Sequence, residues 1–427
     1  MHTLEQLRRG ELAGIQRLDL AAGLTEFPRE IFDLADSLEV LNLSGNQLSR
    51  LPNELSRLRK LKVIFCSENP FTELPEVLGE CPQLEMVGFK SCQLEQVAPA
   101  ALPARLRWLI LTDNRLRGLP DALGQRPRLQ KLMLSGNRLS ALPDSLAEAT
   151  RLELLRLAAN RFEVLPDWLG ELPRLSWLAF SGNPCSPVPD ALAPRLYAPE
   201  EVRLGELLGQ GASGLIHAAT DTEGNLLAAK LFKGQLTSDG LPESEMAACL
   251  AAGTHPNLIP VTGVLHTRHS PTPALLMERL PPRYRVLAGP PSLQSCTRDC
   301  YPADLRLSTA QVLRVARDAA AAVAHLHARG ILHGDLYGHN LLVDDDAHTL
   351  LSDFGGATFI EPTSRLGQRL LRLESRAFGC LLAELLDRCL PDDQPQAQQR
   401  LRQLQARCLD AVVVERPDFV QIQAALH

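Results

Sequence analysis

No apolar run in this sequence of 427 residues approaches the roughly 20 residues that a membrane-spanning helix needs. The first residues, MHTLEQLRRGELAG, lack the apolar stretch and cleavage site of a secretory signal. The ten scattered cysteines include no CxxC pair, which argues against a zinc site or a disulfide framework. The net charge of −6 is too small to favour a nucleic acid or an anionic membrane surface as partner. We therefore expect a cytoplasmic protein.

Lysine is scarce as well. Only six of the 44 basic residues are lysine, and just two of these, Lys230 and Lys233, lie beyond residue 200. The preference for arginine, together with abundant alanine and leucine, indicates a GC-rich bacterial genome. A lysine at a functional position in the second half of the chain is therefore more informative than usual.

The first half of the chain contains an internal repeat. The pattern LxxLxLxxNxLxxLPxxLxxLxx recurs every 22 or 23 residues over 15–193. Its eight copies begin at Ile15, Leu38, Leu61, Leu84, Leu106, Leu129, Leu152 and Leu175. In LNLSGN, Leu41 and Leu43 point to one side of a short strand, and Asn46 can bond backbone groups where the chain turns away. No unit can bury its apolar face alone, so the repeat predicts a stacked, curved solenoid.

This pattern resembles the leucine-rich repeat family. The third and fifth positions of each copy face out of the concave strand surface and need not be apolar for folding. In a chain with only 4% aromatic residues, these positions nevertheless include the large apolar side chains of Phe65, Trp108, Ile110, Met133, Leu154 and Trp177. We interpret these six residues, the concave lane, as a contact surface for a protein substrate or partner. The sequence leaves open whether that partner is another protein, a second copy or the chain's own C-terminal half.

From Val202 onward the pattern changes. LGQGASGLIHAATD (208–221) carries three glycines in GxGxxG spacing, which lets backbone amides approach phosphate oxygens closely. LAAK follows at 227–230 in a strand-like apolar run, and ESEMAACLAAGTHPNLI follows from residue 243. A long helix is predicted from Ser308 to about Arg329, opened by the capping box Ser-Thr-Ala-Gln. ILHGDLYGHNLLVD comes directly after this helix, and SDFGG follows at 352–356.

The order and spacing of these segments resemble the eukaryotic-like protein kinase superfamily. The resemblance implies an ATP site in which Lys230 contacts the phosphates and is paired with Glu245. Glu245 is preferred over Glu243 because it lies ten residues before the HPN segment. The other residues that the resemblance places around ATP are Gly209, Gly211, Ser213, Gly214, Ile216, Ala228, Met277, Glu278, Leu280 and Leu342.

The resemblance also implies the groups that carry out phosphoryl transfer. Asp335 would orient the acceptor hydroxyl and accept its proton, and Asn340 together with Asp353 would hold Mg²⁺ against the nucleotide. Oxygen ligands on a hard cation suit this chemistry. His333 is interpreted as structural, beneath the loop.

Some positions depart from the family pattern. Gly334 stands where an arginine is usual, so pairing with a phosphorylated activation loop is not expected. Tyr337 stands where a lysine is usual, and a nearby cation could replace that charge. The candidate replacements are Arg365, Arg369 and Arg372.

The segment that normally forms a shelf for peptide substrates is short. The helix motif ESRAFGCLLAELL begins at Glu374, only 21 residues after Asp353, which leaves no room for a full activation segment. Arg416, in RPDF near the end of the chain, consequently lacks its usual glutamate partner. Glu361 and Glu374 are the candidate replacements.

These observations predict an α/β leucine-rich-repeat solenoid (1–193), a short linker (194–201) and an α+β, two-lobed protein-kinase-like domain (202–427). The N-lobe would span 202–280 and the C-lobe 281–427. The expected activity is transfer of phosphate from ATP, with Mg²⁺, to serine or threonine on proteins, including this one. Candidate acceptors near the site are Thr358, Thr363 and Ser364.

Two alternatives stay open from the sequence. One is a pseudokinase scaffold whose role is protein binding through the repeats. The other is a small-molecule phosphotransferase, because HGDL-type loops also occur in antibiotic kinases.

Overall fold

The computed structural model describes residues 2–189, 194–211, 213–234, 236–237, 239–266, 273–391 and 394–427. The chain divides into two compact units, Met1–Trp168 and Leu169–His427. The eighth repeat therefore lies in the second unit, whereas the predicted solenoid boundary at residue 193 stays a prediction. Within the described ranges, no helix combines the length and the apolar character that crossing a membrane requires.

The first unit is built from short parallel strands. It begins with helix α1 (Leu4–Arg8), whose N-cap Thr3 accepts from the amide of Gln6 at 3.1 Å. Seven strands follow, and each neighbouring pair among them is parallel: β1 (Arg17–Asp19), β2 (Val40–Asn42), β3 (Val63–Phe65), β4 (Met86–Gly88), β5 (Trp108–Ile110), β6 (Lys131–Met133) and β7 (Leu154–Arg156). Short helical turns alternate with them at Arg29–Leu34, Asn53–Arg57, Glu76–Glu80, Pro99–Ala101, Asp121–Leu123 and Asp144–Glu148.

Asparagine side chains join successive repeats. The amide of Asn46 donates to the carbonyl oxygens of Leu20 and Leu43 at 2.9 and 2.8 Å, and its oxygen accepts from the amides of Ala22 and Leu24. Equivalent bonds recur at Asn69, Asn114, Asn137 and Asn160. These bonds pair buried backbone groups where the chain leaves each strand, as the repeat pattern predicts.

The second unit contains the eighth repeat and a mixed sheet. Strand β8 (Trp177–Ala179) belongs to the repeat. The sheet is formed by β9 (Leu196–Tyr197), β10 (Val202–Gln210), β11 (Gly214–Asp221), β12 (Leu226–Phe232), β13 (Val261–Leu265) and β14 (Ala274–Glu278). Its order is β10-β11-β12-β14-β13-β9, antiparallel except that β9 runs parallel to β13. Because Tyr197 is only 3% exposed within the core of this sheet, the predicted linker is packed rather than loose.

Helices dominate the rest of the second unit. They are α2 (Pro242–Ala252), α3 (Thr309–His327), α4 (Arg365–Leu386), α5 (Pro395–Cys408) and α6 (Phe419–Leu426). Two small antiparallel sheets accompany them, formed by β15 (Arg285–Val286), β16 (Ile331–Leu332), β17 (Leu341–Val343), β18 (Thr349–Leu351) and β19 (Thr358–Phe359). Strand β15 pairs with β17, which also pairs with β18, and β16 pairs with β19.

The capping box predicted at the start of α3 is confirmed. The amide of Gln311 donates to Ser308 Oγ at 3.2 Å, and the amide of Ser308 donates to Gln311 Oε1 at 2.9 Å. The predicted fold class, a leucine-rich-repeat solenoid followed by a kinase-like domain of mixed sheet and helices, is confirmed as well.

Candidate active site

A cleft in the second unit brings most of the predicted site residues together. It encloses about 990 Å³, counting its open mouth. Ten predicted residues line it: Gly211, Ser213, Gly214, Ile216, Lys230, Glu245, Met277, Asn340, Leu342 and Asp353. The described lining does not include Gly209, Ala228, Glu278, Leu280 or Asp335. Ala228 lies in β12 directly opposite Met277, and Glu278 is exposed at the end of β14.

Other lining residues were not identified from the sequence. Most of them are apolar, and they include Cys249, Leu258, Ile259, Val261, Leu275, Val286, Leu351 and Phe354. An apolar residue at such a position looks like any other core residue in the sequence, so no motif signals it. The mainly apolar lining with a few polar groups is typical of a small-molecule site.

Lys230 lies between two carboxylates. Its ammonium forms an ion pair with Glu245, near the start of α2, and lies 3.6 Å from Asp353 Oδ1. Lys230 and Glu245 are almost fully buried, at 7% and 3% exposed. Glu243, the alternative considered from the sequence, is exposed. A lysine, a helix carboxylate and the aspartate of SDFGG therefore meet at one end of the cleft.

The charges at this end of the cleft perturb one another. Burial acts to lower the pKa of Lys230, but the carboxylates of Asp353 and Glu245 outweigh it and raise that pKa. Burial raises the pKa of Glu245 to about 7. Partial burial would raise the pKa of Asp353, yet the Lys230 ammonium and the Gly355 amide hold it below its usual value. Lys230 is thus charged at neutral pH, with an ionised Asp353 beside it.

The loop of residues 333–340, called the catalytic loop after its predicted role, is fixed by bonds between its own residues. The side-chain amide of Asn340 donates both hydrogens to Asp335, one to its carbonyl oxygen and one to Oδ2, each at 2.8 Å. His333 is fully buried, accepts from the amide of Asp335 at 3.3 Å and packs edge-on against Phe354. These contacts agree with the structural role predicted for His333.

The residues present fit a magnesium ion. Because both hydrogens of the Asn340 amide are committed to Asp335, its oxygen is the atom left for a ligand. The side chain of Asp353 is 47% exposed, and its backbone has a positive φ of 55°, a strained conformation that recurs at functional sites. An amide oxygen and an ionised carboxylate are ligands that Mg²⁺ prefers.

The three glycines of the GxGxxG segment differ in what requires them. A Cβ at Gly214 would lie 2.6 Å from the carbonyl oxygen of Leu231, so close approach to β12 demands glycine there. Gly209 and Gly211 have open space where a Cβ would stand. The room next to Gly211, which lines the cleft, is where a phosphate could approach the backbone.

His339, which the sequence left uninterpreted, is bound to an aspartate. Its Nδ1 lies 2.7 Å from Asp299 Oδ1, and its amide donates to Asp299 Oδ2 at 2.9 Å. Burial would lower the pKa of His339, but the bond to Asp299 outweighs it and raises that pKa. This pair ties the loop next to Asn340 to the segment before α3.

The prediction that Glu361 or Glu374 is the partner of Arg416 is wrong. The buried guanidinium of Arg416 is bound by backbone carbonyls and not by Glu361 or Glu374: it donates to Asp410, Arg372 and Pro173. Glu374 instead accepts from the amide of Gly334 at 2.5 Å and contacts His327 Nε2 at 2.7 Å. Neutral carbonyls suffice for a buried arginine when they satisfy its donors.

Two of the three arginines proposed to replace the missing lysine are bound elsewhere. Arg369 is paired with Glu171, and Arg372 donates to the carbonyl oxygen of Arg416. Arg365 is exposed at the start of α4. Tyr337, which stands where a lysine is usual, is buried, with 4% of its surface exposed. Its neutral side chain does not supply the charge of that lysine.

The candidate acceptor hydroxyls differ in exposure. Thr358 is fully buried, so its prediction as an acceptor is wrong. Ser364 is the N-cap of α4 and accepts from the amide of Gly367. Thr363 is exposed, and its hydroxyl donates to Glu361 at 2.6 Å.

The concave lane is only partly exposed. Met133, Leu154 and Trp177 are buried, at 8%, 3% and 1% exposed, whereas Phe65, Trp108 and Ile110 are half-buried. Trp177 contacts residues of the catalytic loop. For this residue the partner is therefore the chain's own C-terminal half, one of the three partners that the sequence left open. Of the six residues of the concave lane, only Phe65, Trp108 and Ile110 keep appreciable exposed surface.

Comparison with known families agrees with this architecture. Residues 202–377 match the model of the protein kinase domain, and residues 37–58, 104–162 and 127–184 match models of the leucine-rich repeat. Leucine-rich repeats and a protein kinase domain are both present in this chain. A protein kinase domain in general implies use of ATP and a divalent metal ion.

Similar proteins carry kinase names. A probable serine/threonine-protein kinase of Arabidopsis thaliana is 28% identical over 206 residues, which cover 42% of this chain and 33% of the relative. The DNA damage-responsive serine/threonine-protein kinase RqkA of Deinococcus radiodurans is 30% identical over 179 residues, covering 40% and 24%. The probable inactive serine/threonine-protein kinase roco10 of Dictyostelium discoideum is 33% identical over 121 residues, covering 27% and 4%. The chain spans a third or less of each relative's length, and these likenesses support a kinase without identifying its substrate.

Proposed function

We propose that this protein is an ATP- and magnesium-dependent protein kinase that phosphorylates serine or threonine, including residues of its own chain. The observation that carries the proposal is the position of Lys230, paired with Glu245 and 3.6 Å from Asp353. A lysine shared by a helix carboxylate and a metal-binding aspartate is the arrangement that a kinase needs to hold nucleotide phosphates.

Each residue has a distinct task in the proposed reaction. Lys230, held by Glu245, neutralises phosphate oxygens of the nucleotide, and its burial strengthens that attraction. Asp335 accepts a hydrogen bond from the acceptor hydroxyl, orients it in line with the terminal phosphate and takes up its proton. Asn340 keeps the Asp335 carboxylate in place through its bond to Oδ2. Magnesium held by Asn340 and Asp353 would neutralise the charge that builds up on the transferred phosphoryl group.

Thr363 is the acceptor we propose within the chain. It lies ten residues after Asp353, is exposed and precedes α4. For other substrates we propose that the repeats recruit a protein partner through Phe65, Trp108 and Ile110, because half-buried apolar side chains on one face are suited to protein contacts.

Transfer from labelled ATP tests the proposal. The purified full chain is incubated with γ-labelled ATP and magnesium, and label on protein is compared between the wild type, Asp335→Asn and a control, Asp346→Asn. Asp346 is an exposed carboxylate between β17 and β18. We expect Asp335→Asn to lower transfer by about 10²–10⁴-fold while nucleotide binding persists, because only the acceptor-orienting group is lost.

The alternatives give other results in the same assay. Magnesium-dependent nucleotide binding without transfer to any protein would replace the kinase with a binding protein, a possibility that Tyr337 and the relative described as inactive raise. Transfer that occurs only after small hydroxyl compounds are added would indicate a small-molecule phosphotransferase. Equal transfer by the wild type and Asp335→Asn would remove Asp335 from the mechanism.

A further inference from the structure

The eighth leucine-rich repeat packs against the catalytic loop within the second unit. Trp177, in β8, stacks on the ring of Tyr337, with ring centroids 4.2 Å apart and an interplanar angle of 7°. Its indole Nε1 donates to the carbonyl oxygen of Leu336 at 3.0 Å. Both contacts fall on the two residues that directly follow Asp335, so they act on the backbone that carries its carboxylate.

The same repeat also holds the short segment after SDFGG. The amide of Phe180 donates to Thr358 Oγ1 at 3.1 Å, and Ser186 Oγ donates to the carbonyl oxygen of Phe359 at 2.8 Å. Thr358 and Phe359 form β19, which pairs with β16 immediately before the catalytic loop. The repeat therefore fixes both the loop and the segment that lies beside it.

The backbone around Gly334, including that of the repeat, leaves no room for a side chain. Its φ is +72°, and an added Cβ would lie 2.4 Å from the carbonyl oxygen of Gly356 and 2.6 Å from that of Leu178. Leu178 is the neighbour of Trp177 in β8. The backbones of Gly356, in SDFGG, and of Leu178, in the repeat, together take the space that a side chain at residue 334 would need, so the missing arginine and the packed repeat belong to one arrangement.

Further bonds involve the two residues that directly precede the eighth repeat. Arg416 Nη2 donates to the carbonyl oxygen of Pro173 at 2.8 Å, and Arg376 Nε donates to that of Arg174 at 3.1 Å. Arg416 is fully buried and Arg376 is 9% exposed, so these bonds satisfy donors that water cannot easily reach. The repeat is consequently an integral part of the kinase unit.

We propose that the eighth repeat performs the work of the missing activation segment, with Trp177 as a positioning residue that holds Asp335 through Leu336 and Tyr337. The inference rests on the proposed function and adds its regulation. The repeat belongs to the same chain and holds the loop through hydrogen bonds and a ring stack, none of which requires a phosphate group. The loop is therefore held in its working position without phosphorylation. The departures at Gly334 and Tyr337 then form the surface that receives the repeat.

Two substitutions of Trp177 test the inference in the full-length protein. Trp177→Ala removes the ring stack and the bond to Leu336, and we expect transfer to fall about 100-fold, because small displacements of a catalytic group are costly. Trp177→Phe keeps a ring over Tyr337 but loses the Nε1 donor, and we expect a loss of about tenfold. The control is Trp168→Ala, which removes a side chain of the same size. Trp168 is half-buried and lies in the helical turn Asp167–Glu171. ATP affinity should stay unchanged in all three variants, since Trp177 does not line the cleft.

The transfer rate and the ATP affinity of Trp177→Ala together decide whether the inference holds. Normal transfer by Trp177→Ala would overturn the inference, and so would a parallel loss of transfer and ATP affinity, which would indicate general support of the fold. If the wild type transfers no phosphate, the proposed function fails, and hydrogen exchange then tests the inference separately. Trp177→Ala should speed exchange of the amides of residues 336–340 but not of 214–218. Equal exchange of 336–340 in wild type and variant would overturn it.

Discussion

Two parts of the second unit differ in how closely they follow the protein kinase pattern: the proposed nucleotide side around Lys230, and the proposed acceptor side around Gly334 and Tyr337. On the nucleotide side, Lys230, Glu245 and Asp353 keep both the residue types and the contacts of that pattern. On the acceptor side, Gly334 and Tyr337 replace charged residues, and only residues 357–364 separate SDFGG from α4. The contacts of the eighth repeat fall on this second side alone. The comparison indicates that the acceptor side is rebuilt around a repeat, whereas the nucleotide side is conventional.

The largest effect on stability is expected from a methyl group at residue 334. Gly334→Ala combines a positive φ with two backbone oxygens within 2.6 Å of the new Cβ. We expect a loss of about 3 kcal/mol or more, since both oxygens belong to the backbone and cannot move aside cheaply. By the usual relation for a unit of this size, thermal unfolding should shift down by about 6–12 °C.

Gly224→Ala is the matched control for this prediction. Gly224 also has a positive φ, +86°, but open space surrounds the position of its Cβ. Gly224→Ala should lose only about 1–2 kcal/mol of stability, the cost of placing alanine in a left-handed backbone conformation. If both variants melted at the same temperature, the close fit between the loop and the repeat would be refuted.

A smaller effect, which depends on pH, is expected at Glu374. Burial acts to raise the pKa of Glu374, but its bonds to His327 and the Gly334 amide outweigh it and hold that pKa below 4.5. The unfolded chain therefore binds this proton more readily, so the stabilisation is present above about pH 4.5 and is lost as the pH falls. We expect Glu374→Gln to lose about 1–3 kcal/mol at pH 7 and to show a flatter acid limb in melting temperature between pH 5 and 3.

Glu384, on the same helix α4, provides a control of opposite sign. Burial raises its pKa to about 7, so the folded state holds this proton more tightly and loses stability as the pH rises from about 4.5 to 7. Glu384→Gln should therefore gain relative to wild type over that range. The account of the acceptor side would be weakened if both variants responded to pH alike.

The smallest effect on transfer is expected in the first unit. Trp108 occupies the same repeat position as Trp177, but it is half-buried and has the Lys131 ammonium 4.2 Å from its ring. Trp108→Glu should leave autophosphorylation unchanged and abolish binding of a protein partner, because a buried carboxylate in an apolar contact is unfavourable.

A pull-down with immobilised full-length protein measures this difference. Val164→Glu is the control, because it adds the same charge at a residue that is 77% exposed and outside the strands. Proteins retained by the wild type and by Val164→Glu should be missing from Trp108→Glu, and high salt should barely weaken their binding. Retention of the same proteins by Trp108→Glu would rule out the concave lane as the binding surface.

Local features of the molecule could be predicted from the sequence. The repeat period predicts the parallel strands, the Ser308–Gln311 capping box predicts the start of α3, and the spacing from HPN singles out Glu245, which is the carboxylate that meets Lys230. Each of these depends on residues that are close in the chain or on a period that repeats many times.

Contacts between distant residues could not be predicted in this way. The bond from Trp177 to Leu336 joins residues 159 positions apart, and no motif states which loop a repeat will meet. Arg416 likewise finds backbone carbonyls, which every residue carries, so the sequence has no signal for its partners. From the sequence alone, Gly334 indicates the loss of an arginine. The structure shows in addition that no side chain fits at this position.

Phosphate transfer by protein freed of all phosphate is the most direct measurement of the central claim. The full-length chain is treated with a phosphatase, which is then removed, and the initial rate of label transfer from ATP is followed with magnesium. We predict that transfer begins without a lag and at the same rate as in untreated protein, because the nucleotide side is complete and the eighth repeat already holds the catalytic loop. Transfer that starts only after a lag of autophosphorylation, or that never starts, would contradict the account.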